Sequence, residues 1–312
     1  MSHRSPRLAI LLLAYGGPDS LVDVPLFLSN VRGGRPLHPS IVERYTERYR
    51  RIGGNSPLLS ISRRVAGALE KELETPVYLA MRHWRPTIES VLARMADDGV
   101  EGTLALCMAP HYSDLSVGAY RERLQRAVAA TGTAIRVEML DSWHLQADYL
   151  AGLVANIRVA LGRFPQVDRG RVSFLFSAHS LPASILEKND PYADQVQETA
   201  EHIAERLSLP AERWTLAFQS ASRSGMPWLG PSLKQVVDSL AAAGRKEILI
   251  APIGFLADNL ELLYDIDIEM QASASNLGLR LERMPSLNDG RPLVKALASL
   301  ARHHLPLIAR SL

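Results

Sequence analysis

The sequence predicts an α/β protein built from two doubly wound, Rossmann-like halves, each a parallel sheet flanked by helices, with a ligand cleft between them. Three observations carry this prediction. Runs such as Leu8–Ala14 and Val172–Phe176 are continuously apolar and rich in β-formers, as strands buried on both faces must be. Strand-length and helix-length patterns alternate four times before Leu140, which argues for parallel strands joined by helical crossovers. The alternation then starts afresh near Asp141–Gln146 with no long linker, so the halves are expected as residues 1–143 and 144–312, with the C-terminal helix packing back on the first.

Taken in order, Leu8–Ala14 is the first strand and ends in the tight turn Tyr15-Gly16-Gly17-Pro18. Asp19 or Ser20 can cap a helix reaching Val31, followed by the basic loop Arg32-Gly33-Gly34-Arg35-Pro36. A helix from about Ser40 to Ile52 carries Arg44, Tyr45, Arg48 and Tyr49 and is closed by Gly53-Gly54. Further elements are expected as a helix at 61–74, a strand at 77–81, a helix at 87–98, a strand at 103–108, a helix at 117–130 and a strand at 135–140. The second half reads as a helix at 146–161, a strand at 172–176, a helix at 191–207, a strand at 214–218, a helix at 231–243 and a strand at 247–252. An acidic helix at 258–276, a strand at 278–283 and a closing helix at 292–304 complete it.

Composition excludes several function classes. Among 312 residues the net charge is only +2, so no nucleic acid or other polyanion is implied as a partner. Hydrophobic residues at 47% and charged residues at 22% suit a globular chain. The stretch Ser2–Arg7 is basic, with His3 and Arg4, but leads straight into a strand and lacks a signal-peptide apolar region. No apolar run reaches a membrane span, so membrane contact is expected to be peripheral at most, and a cytoplasmic monomer is expected. Cys107 is the sole cysteine, which rules out an internal disulfide and a cysteine-ligated iron–sulfur cluster. The turn after the first strand lacks GxGxxG, which disfavours a nucleotide-binding protein.

Two stretches concentrate chemistry. In Arg171–Pro182 a buried strand runs out into a loop that presents His179, at the end of a parallel strand where open α/β sheets place their ligands. A lone histidine there can equally be a cap or a packed core residue. In Phe255–Glu269, Glu261, Asp265 and Glu269 recur every four residues and so line one helix face, and Asp258 stands where it can cap. No Lys or Arg occurs within 253–269, and apolar residues fill the gaps. Carboxylates in such surroundings are costly unless a cation joins them, and oxygen ligands suit a divalent metal passing along the row. A solvent-facing acidic helix is the plainer alternative. The strand-end residues Tyr15, His83, His111, His179 and Gln219 should converge, yet no HExxH or CxxC spacing marks a fixed metal centre. Arg32, Arg48, Tyr49 and Ser56 could form a carboxylate-binding mouth, because the guanidinium fork pairs with carboxylates at two points.

Together, AYGGP, RYRRIGGNSPL, APHYSDLSVGAY, SAHSLP, Asp190-Pro191-Tyr192, WLGP and PIGFLADNLELLYDIDIE resemble the ferrochelatase family over nearly the whole chain. The tyrosine before the GGP turn and the APHYS segment are most similar to its coproporphyrin III branch. The resemblance implies a lyase-class chelatase of heme biosynthesis that inserts Fe²⁺ into coproporphyrin III, with protoporphyrin IX as the alternative substrate. Fe²⁺ is then a substrate, and no cofactor is permanently bound. By likeness, Tyr15 is the axial ligand of the product, and Arg32, Arg48, Tyr49, Ser56 and Tyr120 contact the macrocycle. His179 and Glu261 are the catalytic and metal-insertion pair, and Asp265 and Glu269 extend the metal path. One departure stands out: Asn259 occupies a position usually held by histidine, and it neither titrates nor ligates as imidazole does. Cobalt insertion and non-catalytic heme binding on the same fold are the remaining readings.

Overall fold

The computed structural model describes residues 6–221 and 225–312; His3 and Arg4, and Ser222, Arg223 and Ser224 of the polar loop after Gln219, lie outside the described residues. The chain divides into two compact units, one of residues 1–110, 114–143 and 288–312, the other of 111–113 and 144–287.

The first unit holds β1 (Leu8–Ala14), α1 (Val24–Val31), α2 (Pro39–Arg51), α3 (Leu58–Leu73), β2 (Val77–Met81), α4 (Ile88–Asp97), β3 (Gly102–Cys107), α5 (Ala119–Thr131) and β4 (Arg136–Met139). Its four parallel strands are ordered β2-β1-β3-β4. Ala9–Leu13 of β1 are completely buried, which is why the strand reads as unbroken apolar sequence. Gly53 and Gly54 end α2 with positive φ, and the Gly54 amide donates to the Tyr49 carbonyl. Thr87 caps α4 by accepting from the Ser90 amide. Asp19 does not cap a helix; it accepts from the Trp84 indole at 2.9 Å. The helix expected from residue 117 opens instead as a π-helical turn, Asp114–Gly118, before α5.

The second unit holds α6 (Ala147–Leu161), β5 (Ser173–His179), α7 (Tyr192–Arg206), β6 (Trp214–Gln219), α8 (Leu233–Ala242), β7 (Glu247–Ala251), α9 (Gln271–Asn276) and β8 (Arg280–Arg283). Its parallel sheet is ordered β6-β5-β7-β8, the same winding as the first. The last helix, α10 (Arg291–Ala309), belongs to the first unit and runs past the expected end, with Pro306 inside it. A side chain at Gly102 of β3 would collide with Ile308 and Leu312 at 2.8 and 2.9 Å, so the glycine admits the end of α10 onto the sheet.

Two differences from expectation bear on function. β5 continues to His179, which is therefore the last strand residue and held by the ladder, not a loop residue. The acidic segment Glu261–Met270 is a π-helix running into α9, not an α-helix from Asp258.

Candidate active site

Along β5 the side chains alternate, so Ser177 and His179 share one sheet face and Ala178 takes the other. Ala178 is small because Gly254 packs on it: a Cβ on Gly254 would lie 2.7 Å from that of Ala178. The Gly254 amide donates to the Ser177 carbonyl at 3.1 Å. The turn leading to the π-helix is thereby set against the strand that ends in His179.

The imidazole of His179 is engaged at both nitrogens. Nδ1 meets the Ser180 carbonyl, which can only accept, so Nδ1 carries a proton. Nε2 lies 3.3 Å from Oε1 of Glu261. Both side chains are about a third exposed, at 37% and 33%, so the pair is open to a ligand. Burial lowers the proton affinity of the ring and is the largest single effect. The Glu261 charge, its hydrogen bond and the Ser180 carbonyl together outweigh it, and the pKa stands above its ordinary 6.5. A proton between Nε2 and a carboxylate is what this geometry stabilises.

Neighbouring residues fix the strand end. The Tyr192 hydroxyl donates to the His179 carbonyl at 2.8 Å. Burial, then the Glu261 charge, push that hydroxyl's pKa well up, so it remains a donor. Asp190 accepts from the Tyr192 amide at 3.0 Å and from the Ser113 hydroxyl at 2.8 Å. Gln219 pairs with His179 in the ladder and accepts from the Ser177 hydroxyl at 2.9 Å. Of these, Tyr192 and Asp190 carried only a motif and no role in the sequence; an aspartate-proline pair opening a helix is the signal that could have singled them out.

The carboxylate row is graded. Glu261 faces His179, Asp265 is partly buried and accepts from Ser220 at 3.2 Å, and Glu269 is exposed. Asp258 does not cap the helix. Asn259 does, through its side-chain oxygen to the Leu262 amide at 3.0 Å. Nor are all the acids left without cations: Arg283 from β8 pairs with both Asp258 and Asp267. Among the described residues no three His, Cys, Asp or Glu side chains form a ready-made metal-holding cluster.

Apart from His111, the other sequence-derived residues lie in the first unit. Tyr15, 42% exposed just after β1, packs against His83 with ring centres 4.6 Å apart and the rings tilted by 55°. Burial and Arg82 hold His83 at a pKa of about 4. Ser56 is buried against Gly17, where an added Cβ would lie 2.4 Å away, and accepts from the Leu58 amide. Tyr49 and Tyr120 are nearly covered, and the Arg82 guanidinium lies 5.2 Å from the Tyr120 ring centre. Arg48 stacks on Tyr45 at 5.4 Å, and Arg32 is exposed at the end of α1. His111 is buried behind Tyr192, bonded to Thr199 at 2.9 Å, because packing against α7 encloses it.

The family model for ferrochelatase matches residues 7–305. The chain belongs to the ferrochelatase family. It is 39% identical to the ferrochelatase of Deinococcus radiodurans over 298 residues, covering 94% of each chain. With that of Herpetosiphon aurantiacus it shares 41% over 303 residues, covering 95% of this chain and 98% of the relative. With the coproporphyrin III ferrochelatase of Geobacillus kaustophilus it shares 34% over 300 residues, 93% and 94% of the two chains. Among solved structures, SirB from Bacillus subtilis with Fe³⁺ superposes with a TM-score of 0.61, covering 95% of each chain at 12% identity. The sirohydrochlorin chelatase SirB with cobalt gives 0.56 at 13% identity, covering 95% of this chain and 94% of that one. These two share the fold alone. As a ferrochelatase the protein is a metal-chelating lyase of heme biosynthesis, with iron and a porphyrin as its substrates. A non-catalytic heme carrier is thereby set aside. Among the described residues of this ferrochelatase no helix is long and apolar enough to cross a membrane.

Proposed function

We propose that this ferrochelatase inserts Fe²⁺ into coproporphyrin III, with His179 and Glu261 as the pair that removes the pyrrole protons. The observation that carries the reading is the 3.3 Å approach of Nε2 to the Glu261 carboxylate, with Nδ1 committed to a backbone carbonyl. Nε2 is then the nitrogen free to exchange a proton. Insertion releases two protons as two pyrrole N–H bonds break and four N–Fe bonds form. Nε2 takes each proton in turn, and Glu261 accepts it and hands it to water along Asp265 and Glu269. Imidazole suits this transfer because its ordinary titration range lies close to neutral pH. The same carboxylates offer Fe²⁺ a succession of oxygen ligands without a rigid cage, so the metal is not trapped on its way. A surface that grips a bent macrocycle better than a flat one exposes the pyrrole nitrogens and lowers the barrier.

Coproporphyrin III is favoured over protoporphyrin IX by Tyr15 before the GGP turn, half exposed and able to serve as axial ligand of the product. A relative named for coproporphyrin III aligns over most of the chain. Four carboxylates on that substrate require partners, and Arg32 and Arg48, with Tyr49, Ser56 and Tyr120 beside the macrocycle, supply them in this reading. The enzyme works as a cytoplasmic monomer without a resident cofactor. The test is Fe²⁺ insertion with coproporphyrin III and protoporphyrin IX assayed in parallel. The expected result is a higher kcat/KM for coproporphyrin III; an equal or higher value for protoporphyrin IX overturns the substrate assignment.

A further inference from the structure

Arg283 is the last residue of β8, in the same sheet that carries His179 on β5. Its side chain is only 14% exposed. The guanidinium grips Asp267 at two points, Nε to Oδ1 at 2.6 Å and Nη2 to Oδ2 at 2.8 Å. Nη1 donates to Asp258 at 3.2 Å, and Ser286 donates to the same Asp258 oxygen at 2.7 Å. One largely covered cation therefore ties down Asp258, three residues before the π-helix, and Asp267 within it. Glu261 lies between the two anchor points. A π-helix is the least common helical form and needs tertiary support to persist. The two-point fork supplies it, and a lysine, a point charge on a flexible stem, could not hold both carboxylates in this way.

From this we infer that Arg283 is a positioning residue for metal insertion: it sets the π-helix on the sheet so that Glu261 stays within reach of His179. The inference rests on the His179–Glu261 reading and acts through the contacts of Arg283 with Asp258 and Asp267. Its loss lets Glu261 drift while the porphyrin-contacting residues are untouched, so turnover falls and porphyrin affinity does not.

The experiment measures Fe²⁺ insertion by Arg283→Lys in the full-length protein, alone and combined with Glu261→Gln. The expected result is a kcat lowered about ten- to a hundredfold, the penalty of an ångström-scale misplacement. The porphyrin KM should stay within about twofold, the pattern of an interaction felt only in the transition state. In the Glu261→Gln background the same substitution should lower kcat by less than about threefold, because its effect runs through that carboxylate. Asp267→Asn, which loosens the fork but leaves Arg283 and Asp258 in place, should reproduce the loss in weaker form and decides the matter if Arg283→Lys does not fold. A wild-type kcat in a folded variant, a rise in KM alone, or full additivity with Glu261→Gln overturns the inference. Wild-type turnover by Glu261→Gln itself overturns the underlying reading of the pair.

Discussion

His111 illustrates how far one residue's role depends on what surrounds it. In sequence it follows an apolar strand run, as His179 does. Burial, with a smaller push from His144, holds its pKa at about 3 instead of the ordinary 6.5. The folded protein therefore keeps His111 neutral where the unfolded chain would protonate it. As pH falls through about 6.5 the unfolded state takes up a proton that the folded state refuses, and stability is lost steadily down to about pH 3. His111→Gln, which can still reach Thr199, should flatten this loss. Urea unfolding midpoints at about pH 7 and pH 4.5 should differ less in the variant than in wild type. The sign is opposite at His179, whose raised pKa contributes stability below the unfolded value and loses it as pH rises past the folded one. Nothing in the local sequence separates the two histidines. Ala178 is different: its small side chain leaves room for a close approach, and the backbone of Gly254 makes it.

The π-helix is the element on which the site turns. Four-residue spacing of Glu261, Asp265 and Glu269 was legible in the sequence, but the helix type was not. A step of four falls close to one turn of either an α- or a π-helix, so spacing alone does not choose between them. Packing chooses: Asn259 caps the start and Arg283 grips the middle from β8. The missing lysines within the segment were likewise a true observation with an incomplete consequence, since the cation arrives from fourteen residues beyond Glu269. Asn259→Ala removes the cap and should destabilise the protein by about 1 kcal/mol, the usual cost of a lost side-chain cap, read as a lower urea midpoint at unchanged slope.

At the scale of the molecule, two parallel sheets were readable because strands buried on both faces leave uninterrupted apolar runs; their shared strand order was not, since it depends on pairing between strands distant in sequence. The assignment of residues 111–113 to the second unit was harder, since it depends on contacts distant in sequence. Family membership follows from motifs spread along the whole chain, whereas the proposed chemistry rests on a single pair in the second unit. That pair is tested most directly by offering Fe²⁺ and coproporphyrin III to wild type and to His179→Ala, following the metalloporphyrin absorbance and, separately, porphyrin binding. The account predicts that the variant binds porphyrin normally and forms no metallated product; turnover at the wild-type rate would contradict it.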